Sequence, residues 1–254
     1  MIRVDGCAAF TGTWLKPGQV VSLWDLEETK PRGYEADLKV LYEDEHLAVV
    51  CKPAGMVVSG NRFKTVTNAL QSNLKPSNAE DVLPWPRPVH RLDAQTSGLL
   101  LAAKSRRAQI ELGRQLEEKT IRKEYAAVVC GPLPEKGTVS KEIDGKPSVS
   151  EFEKVKEMPS LRNGCLTLVR LFPLTGRTHQ LRIHMAHLGT PIVGDKLYGE
   201  EGKVMRHKGL FLTAVKLNFR HPVTEKMLEI EMPVPAKFAS LFEREERRWK
   251  KYKD

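Results

Sequence analysis

The chain has 254 residues, enough for one large domain or two small ones with a real core. It carries 41 Lys and Arg against 32 Asp and Glu, a formal net charge of +9, which points to an acidic partner such as nucleic acid. Cys7, Cys51, Cys130 and Cys165 lie far apart, which argues against a disulfide framework or a zinc knuckle. No apolar run reaches about 18 residues, which argues against a membrane helix.

The opening Met-Ile-Arg-Val-Asp-Gly is too polar for a signal peptide, so the expected location is cytoplasmic. Residues 1–27 read as a separate piece, with two short strands predicted at Val4-Asp5-Gly6 and over 15–21. Val20, Val21, Leu23 and Trp24 give that piece an apolar side that favours docking. Residues 28–37 contain Pro31-Arg32-Gly33 and predict a linker, leaving 38–254 as the main domain.

Within that domain, 38–41 and 47–51 predict a hairpin around Glu43-Asp44-Glu45, followed by a Lys52-Pro53-Ala54-Gly55 turn. Helices are expected over 66–74 and 105–119, the second with Ile110, Leu112 and Leu116 at apolar positions. Strands are expected near 121–130, 149–157, 165–172, 210–219 and 228–232. Pro235 opens an amphipathic helix with Phe238, Leu241, Phe242 and Trp249 on one side. Glu243 with Arg247, and Glu246 with Lys250, are spaced for ion pairs on that helix. Strands outnumber helices and do not alternate with them, so the expected class is α+β, a mixed but mainly antiparallel sheet with flanking helices.

Three strings stand out. Residues 90–98 read His-Arg-Leu-Asp-Ala-Gln-Thr-Ser-Gly, a tight turn before the buried run 99–103, and they place Asp93 where loops carry chemistry. Alone, an Asp before Ser-Gly more often closes a turn than reacts. Residues 175–184 read Thr-Gly-Arg-Thr-His-Gln-Leu-Arg-Ile-His, with Gly189, Pro191, Gly194 and Asp195 following. Thr178 is the expected N-cap and Gly189 the expected end of a helix bearing Leu181, Met185 and Leu188, with Arg182 beside that stripe. Residues 122–129 form a strand with Tyr125 near its start.

Together these strings resemble the signatures of the RluA-type pseudouridine synthases, which act on uridines of large-subunit rRNA and of tRNA. The resemblance implies a pseudouridine synthase fold, Asp93 as the catalytic carboxylate, Arg182 as its ion partner and Tyr125 stacked on the target base. It also implies isomerisation of uridine in structured RNA without a metal or cofactor, by a protein expected to be a monomer. Residues 1–27 are similar to the tail of the small α-L RNA-binding module of these enzymes, without its two recognition helices.

The reaction breaks the N1–C1′ bond, turns the base and joins C5 to C1′. An aspartate can attack the sugar or remove its 2′ proton, and a desolvated Asp needs an Arg to stay anionic. The base must leave its stack, and Arg91 is placed to fill the vacated space, with His90 in the same loop. Thr96, Arg177, His179 and Leu181 are counted with them as RNA or base contacts. So are Arg106 and Arg107, which begin the helix beyond the catalytic strand. His179, His184 and His187 lack the companions of a metal site, so RNA contact or packing is expected of them.

The basic excess sits with the motifs: residues 87–123 hold nine basic and four acidic side chains, and 174–220 hold eight and three. That is the footprint of a phosphate-tracking cleft. A non-catalytic RNA-binding protein or chaperone needs the basic cleft, but not Asp93, Tyr125 and Arg182 together. A glycoside hydrolase needs a second carboxylate against Asp93, for which Asp195 is available. Asp195 is expected instead to cap a turn after Gly194.

Overall fold

The computed structural model describes residues 2–10, 12–23, 30, 32–199 and 209–253, the side chain of Leu23 aside. The chain divides into two compact units, Met1–Arg32 and Gly33–Asp254. No helix among the described residues is long and apolar enough to cross a membrane.

In the first unit, β1 (Ile2–Val4) pairs antiparallel with β2 (Cys7–Ala8) and with β3 (Val21–Leu23). Asp5 and Gly6 make the β1–β2 turn with positive φ, and the Asp5 carboxylate accepts from Val20 N at 2.9 Å and Gln19 Nε2 at 2.8 Å. The strand expected over 15–21 is confined to Val21–Leu23, because Pro17-Gly18 turns the chain and Gln19 N donates back to Lys16 O. Trp24 lies outside the described residues.

In the second unit, β4 (Val40–Glu43) and β5 (Leu47–Lys52) form the expected hairpin, and α1 (Val66–Asn73) follows, capped by Thr65. Next come β6 (Val82–Pro88), β7 (Ser97–Ser105) and α2 (Arg106–Glu117). After these lie β8 (Arg122–Cys130), β9 (Lys136–Ser140), β10 (Val149–Ser160) and β11 (Gly164–Pro173). The remainder is α3 (Gln180–His187), β12 (Leu212–Arg220), β13 (Met227–Glu231) and α4 (Ala236–Tyr252).

One ten-stranded sheet runs β4-β5-β7-β12-β8-β11-β10-β9, with β13 on β12 and β6 on β7. Its named pairings are antiparallel except β7 with β12, where Ser97 and Gly98 face Thr213 and Ala214. This is the mixed, mainly antiparallel α+β architecture expected. The core follows the uninterrupted apolar runs: Leu47–Val50 in β5 and Leu99–Ala103 in β7 have no exposed surface. Strands so buried need apolar residues on both faces.

Gly98 lets β12 approach. It has φ +111°, and a Cβ there would collide with the Ala214 carbonyl. The loop ahead of β7 is thereby held against the middle of the sheet.

Several expectations are corrected. β6, which the sequence reading did not propose, carries Pro84, Pro86 and Pro88, and it pairs only with β7, where missing N–H donors are tolerated. β9 was likewise not predicted. Helix α3 begins at Gln180, not after Thr178, because His179 takes left-handed geometry at the N-cap position. Gly189, with φ +74°, does lie just past its end. Ile110 faces solvent at 65 % exposure, because α2 buries the stripe of Ala108, Leu112 and Gln115 instead. On α4, Lys250 pairs with Glu246 as expected, whereas the buried acid is Glu245, held by Ser160 and Arg248.

Candidate active site

Residues 89–96 connect β6 to β7, and the start of this loop is tied to β7. Val89 N donates to Leu101 O at 3.0 Å, and Leu101 N donates to His90 Nε2 at 3.1 Å. Burial pushes the His90 imidazole down to about 3, with the charge of Lys123 as a smaller cause, so the ring is a neutral brace inside the loop. Thr96 is also buried, and its N–H donates to Asp93 O at 3.1 Å.

Beneath the loop runs the turn after β5. Lys52 has no exposed surface, and its Nζ donates to the carbonyls of Pro53 (3.0 Å), Met56 (2.7 Å) and Ala94 (3.1 Å). Gly55 N donates to Ala94 O at 2.7 Å. Burial lowers the Lys52 ammonium to about 8, although the negative charge of Asp93 opposes that shift. A buried cation thus pins the residue next to Asp93. Sequence reading placed Lys52 in a turn and gave no sign of this role.

Asp93 is largely buried, with 16 % of its side chain exposed. Arg182 Nη1 lies 3.8 Å from Asp93 Oδ2, and His179 Nε2 lies 3.9 Å from Oδ1. Tyr125 is buried on β8. It faces Ala214 of β12, and Ala214 faces Gly98 of β7, so two strand spacings, about 10 Å, separate it from the start of the Asp93 strand. Burial, and after it the charge of Asp93, raises the Tyr125 phenol above its ordinary value and keeps it neutral.

Arg182 is held more tightly from the other side. Its Nε and Nη2 each donate to Asp195 at 2.7 Å, a planar two-bond fork. Asp195 Oδ1 also accepts from Leu197 N and Tyr198 N, so the expected turn cap is present together with an unforeseen ion pair. Burial works against the Arg182 charge, but the bonds to Asp195 and the charges of Asp195 and Asp93 outweigh it and hold its pKa above the usual value. Burial likewise works against the Asp195 anion, and Arg182 outweighs it. Tyr198 lies 5.1 Å below the guanidinium, and its hydroxyl is 3.0 Å from His179 Nδ1. His179 is therefore lodged between Tyr198 and Asp93.

Other expected contacts are placed elsewhere. Leu181 is buried in the core, and Arg177 is exposed with Nε on Pro147 O at 3.3 Å. Arg91 is exposed on the loop and makes no ion pair among the described residues. Arg106 and Arg107 are exposed at the far end of β7, whose nine residues span about 30 Å. Part of the positive charge counted over 87–123 is neutralised in place. Lys104 pairs with Glu43 at 2.7 Å, and Arg114 with Glu111 and Glu118. Among the described residues no three His, Cys, Asp or Glu side chains cluster as metal ligands.

The Asp93 carboxylate thus faces a buried guanidinium that Asp195 holds in a fixed orientation. The family model described as RNA pseudouridylate synthase matches residues 46–187. The chain is 32% identical to ribosomal large subunit pseudouridine synthase D of Nitrosomonas europaea, over 95% of this chain and 76% of that protein. It is 36% identical to the dual-specificity RNA pseudouridine synthase RluA of Pasteurella multocida, over 77% of this chain and 93% of that protein. The structure of human RNA pseudouridylate synthase domain containing 1 superposes with a TM-score of 0.64 at 26% identity, covering 79% of this chain and 87% of that one. The chain belongs to the RNA pseudouridylate synthase family, and its reaction class is isomerisation of uridine in RNA.

Proposed function

We propose that this enzyme converts a uridine of structured RNA, in ribosomal or transfer RNA, to pseudouridine with Asp93 as the reacting carboxylate. The observation that carries this reading is the 3.8 Å approach of Arg182 to Asp93, with Arg182 itself locked by Asp195. The Arg182 guanidinium faces Asp93 in a largely buried place, where the carboxylate can attack C1′ or take the 2′ proton. N1–C1′ then breaks, the uracil turns, and C5 bonds to C1′ as Asp93 leaves C1′ or returns the 2′ proton; the C5 proton is then lost and N1 takes one up, so the product is an isomer of the uridine. The reaction is redox-neutral and calls for no cofactor.

Tyr125, neutral and buried, is read as the face on which the uracil stacks and as a participant in proton transfer. His179 joins it beside the reacting carboxylate. Arg91, exposed on the Asp93 loop, is read as the side chain that fills the space left by the extruded base. Several relatives are named for the large ribosomal subunit, which supports that RNA as the substrate. Residues 1–27 are read as similar to the tail of an α-L module, and the enzyme as a cytoplasmic monomer. Release of tritium from C5-labelled uridine in RNA tests the reaction. Wild-type protein that binds RNA and releases none would instead make it an RNA-binding protein.

A further inference from the structure

Arg182 rides on an eight-residue helix that has no side-chain N-cap, so α3 must be held by other contacts. Many of those contacts are polar. Gln180 Oε1 accepts from Arg177 N at 3.0 Å and from the Thr175 hydroxyl at 2.6 Å. Its Nε2 donates to Val149 O and to Ser150 Oγ, each at 2.9 Å. One turn on, His184 is fully buried between two serines at the start of β10. Nδ1 lies 3.0 Å from Ser150 Oγ, and Nε2 lies 2.9 Å from Ser148 Oγ.

Proton accounting fixes the direction of each bond, because a serine hydroxyl has a single proton to give. Ser148 gives its proton to the Lys141 carbonyl, so it accepts from His184 Nε2–H. Ser150 receives the Gln180 Nε2–H, and its own proton goes to His184 Nδ1. The chain Gln180, Ser150, His184, Ser148, Lys141 is therefore complete for one neutral tautomer of His184. A second ring proton would leave the Ser150 hydroxyl without its acceptor.

We propose that His184 is a positioning residue for the isomerisation. Its proton chain clamps α3 to the start of β10 and so sets Arg182 against Asp93. The proposal rests on the reading of Asp93 and Arg182 given above. Burial chiefly holds the His184 pKa below its ordinary value. The Lys141 backbone opposes this, and the charges of His187 on α3 and Lys141 on the preceding turn add to it. Those two are the charged neighbours that act on the ring.

The experiment is single-turnover tritium release by the full chain on a minimal RNA stem-loop, with RNA affinity measured in parallel. His184→Phe is expected to slow release about tenfold, equivalent to about 1.4 kcal/mol, and to leave the Kd within about twofold. His184→Gln keeps one donor and one acceptor, and is expected to recover part of the rate; the wild-type rate is expected to fall as His184 gains its second proton at acid pH, and the Gln variant is expected to lack that fall. In an Arg182→Lys background, His184→Phe is expected to cost less than in the wild type, because it acts through residue 182. Equal losses in the two backgrounds, or wild-type rates in His184→Phe, would overturn the proposal. Should His184→Phe fail to fold, Ser150→Ala carries the same comparison. If the wild type releases no tritium, the isomerase reading falls and this proposal with it. Release by the wild type with equally fast release by His184→Phe overturns this proposal alone.

Discussion

Arg182 donates two hydrogen bonds of 2.7 Å to Asp195, while its remaining contact with Asp93 is 3.8 Å. The short pair is structural, and the long one is the contact proposed to act in the reaction. A guanidinium bound on one edge by a buried carboxylate offers its other nitrogen in a fixed direction, and the looser contact leaves room for a reacting group. Removing a single partner of a buried ion pair strands the other charge, at a cost of about 3–5 kcal/mol. Asp195→Ala is therefore expected to lower thermal stability sharply. Asp195→Asn keeps an acceptor for the Leu197 and Tyr198 N–H groups but not the charge. It is expected to reduce both stability and turnover, and a wild-type melting curve for Asp195→Asn would show the pair to be unimportant.

Asp93→Asn keeps the size and turn preference of the side chain but removes the anion. Tritium release should disappear while RNA affinity and melting temperature stay close to those of the wild type. Arg182→Ala is expected to lose several orders of magnitude of rate, with Arg182→Lys recovering a part, since Lys restores the charge but not the fork that fits Asp195. Wild-type turnover in Arg182→Ala would sink the pairing.

The family is legible from the local strings around Asp93, Tyr125 and Arg182, and the sheet class from strand-like runs that do not alternate with helices. What was not legible depends on contacts across the sheet. Asp195 reads as a turn cap, which it is, and nothing in its neighbourhood announces that the same carboxylate faces Arg182 thirteen residues earlier. Lys52 looks like any lysine before a proline until its ammonium is seen buried under Ala94 O. Charge counting erred in the other direction, because it cannot see that Lys104 is neutralised by Glu43 or that β7 carries Arg106 away from the site.

Lys52 gives a pH-dependent expectation. Its folded pKa, about 8, lies below the unfolded value of roughly 10.4. Between these values the unfolded chain holds a proton that the native chain has released, so stability should rise as pH climbs through that window. Lys52→Met abolishes this contribution and leaves three carbonyls without a donor. It should lower the melting temperature at pH 7, at about 1–3 kcal/mol for each group that water cannot reach. It should also slow turnover by loosening the Asp93 loop. A melting temperature for Lys52→Met equal to that of the wild type at pH 7 would mean that the ammonium does not hold the loop.

The two groups of exposed arginines make opposite predictions about binding. Arg91 lies on the Asp93 loop, whereas Arg106 and Arg107 begin α2 beyond the far end of β7. On a minimal stem-loop, affinity should fall as salt rises, with each phosphate contact on a single strand contributing about 0.7 to the log-log slope. Arg91→Glu is expected to weaken binding and flatten that slope, because it puts a like charge beside the backbone of the extruded nucleotide. Charge reversal at both Arg106 and Arg107 is expected to change neither slope nor rate on so short an RNA. If the distant pair proved to matter as much as Arg91, the RNA path would have to cross the far end of β7, and the assignment of Arg91 to the vacated base position would lose its basis.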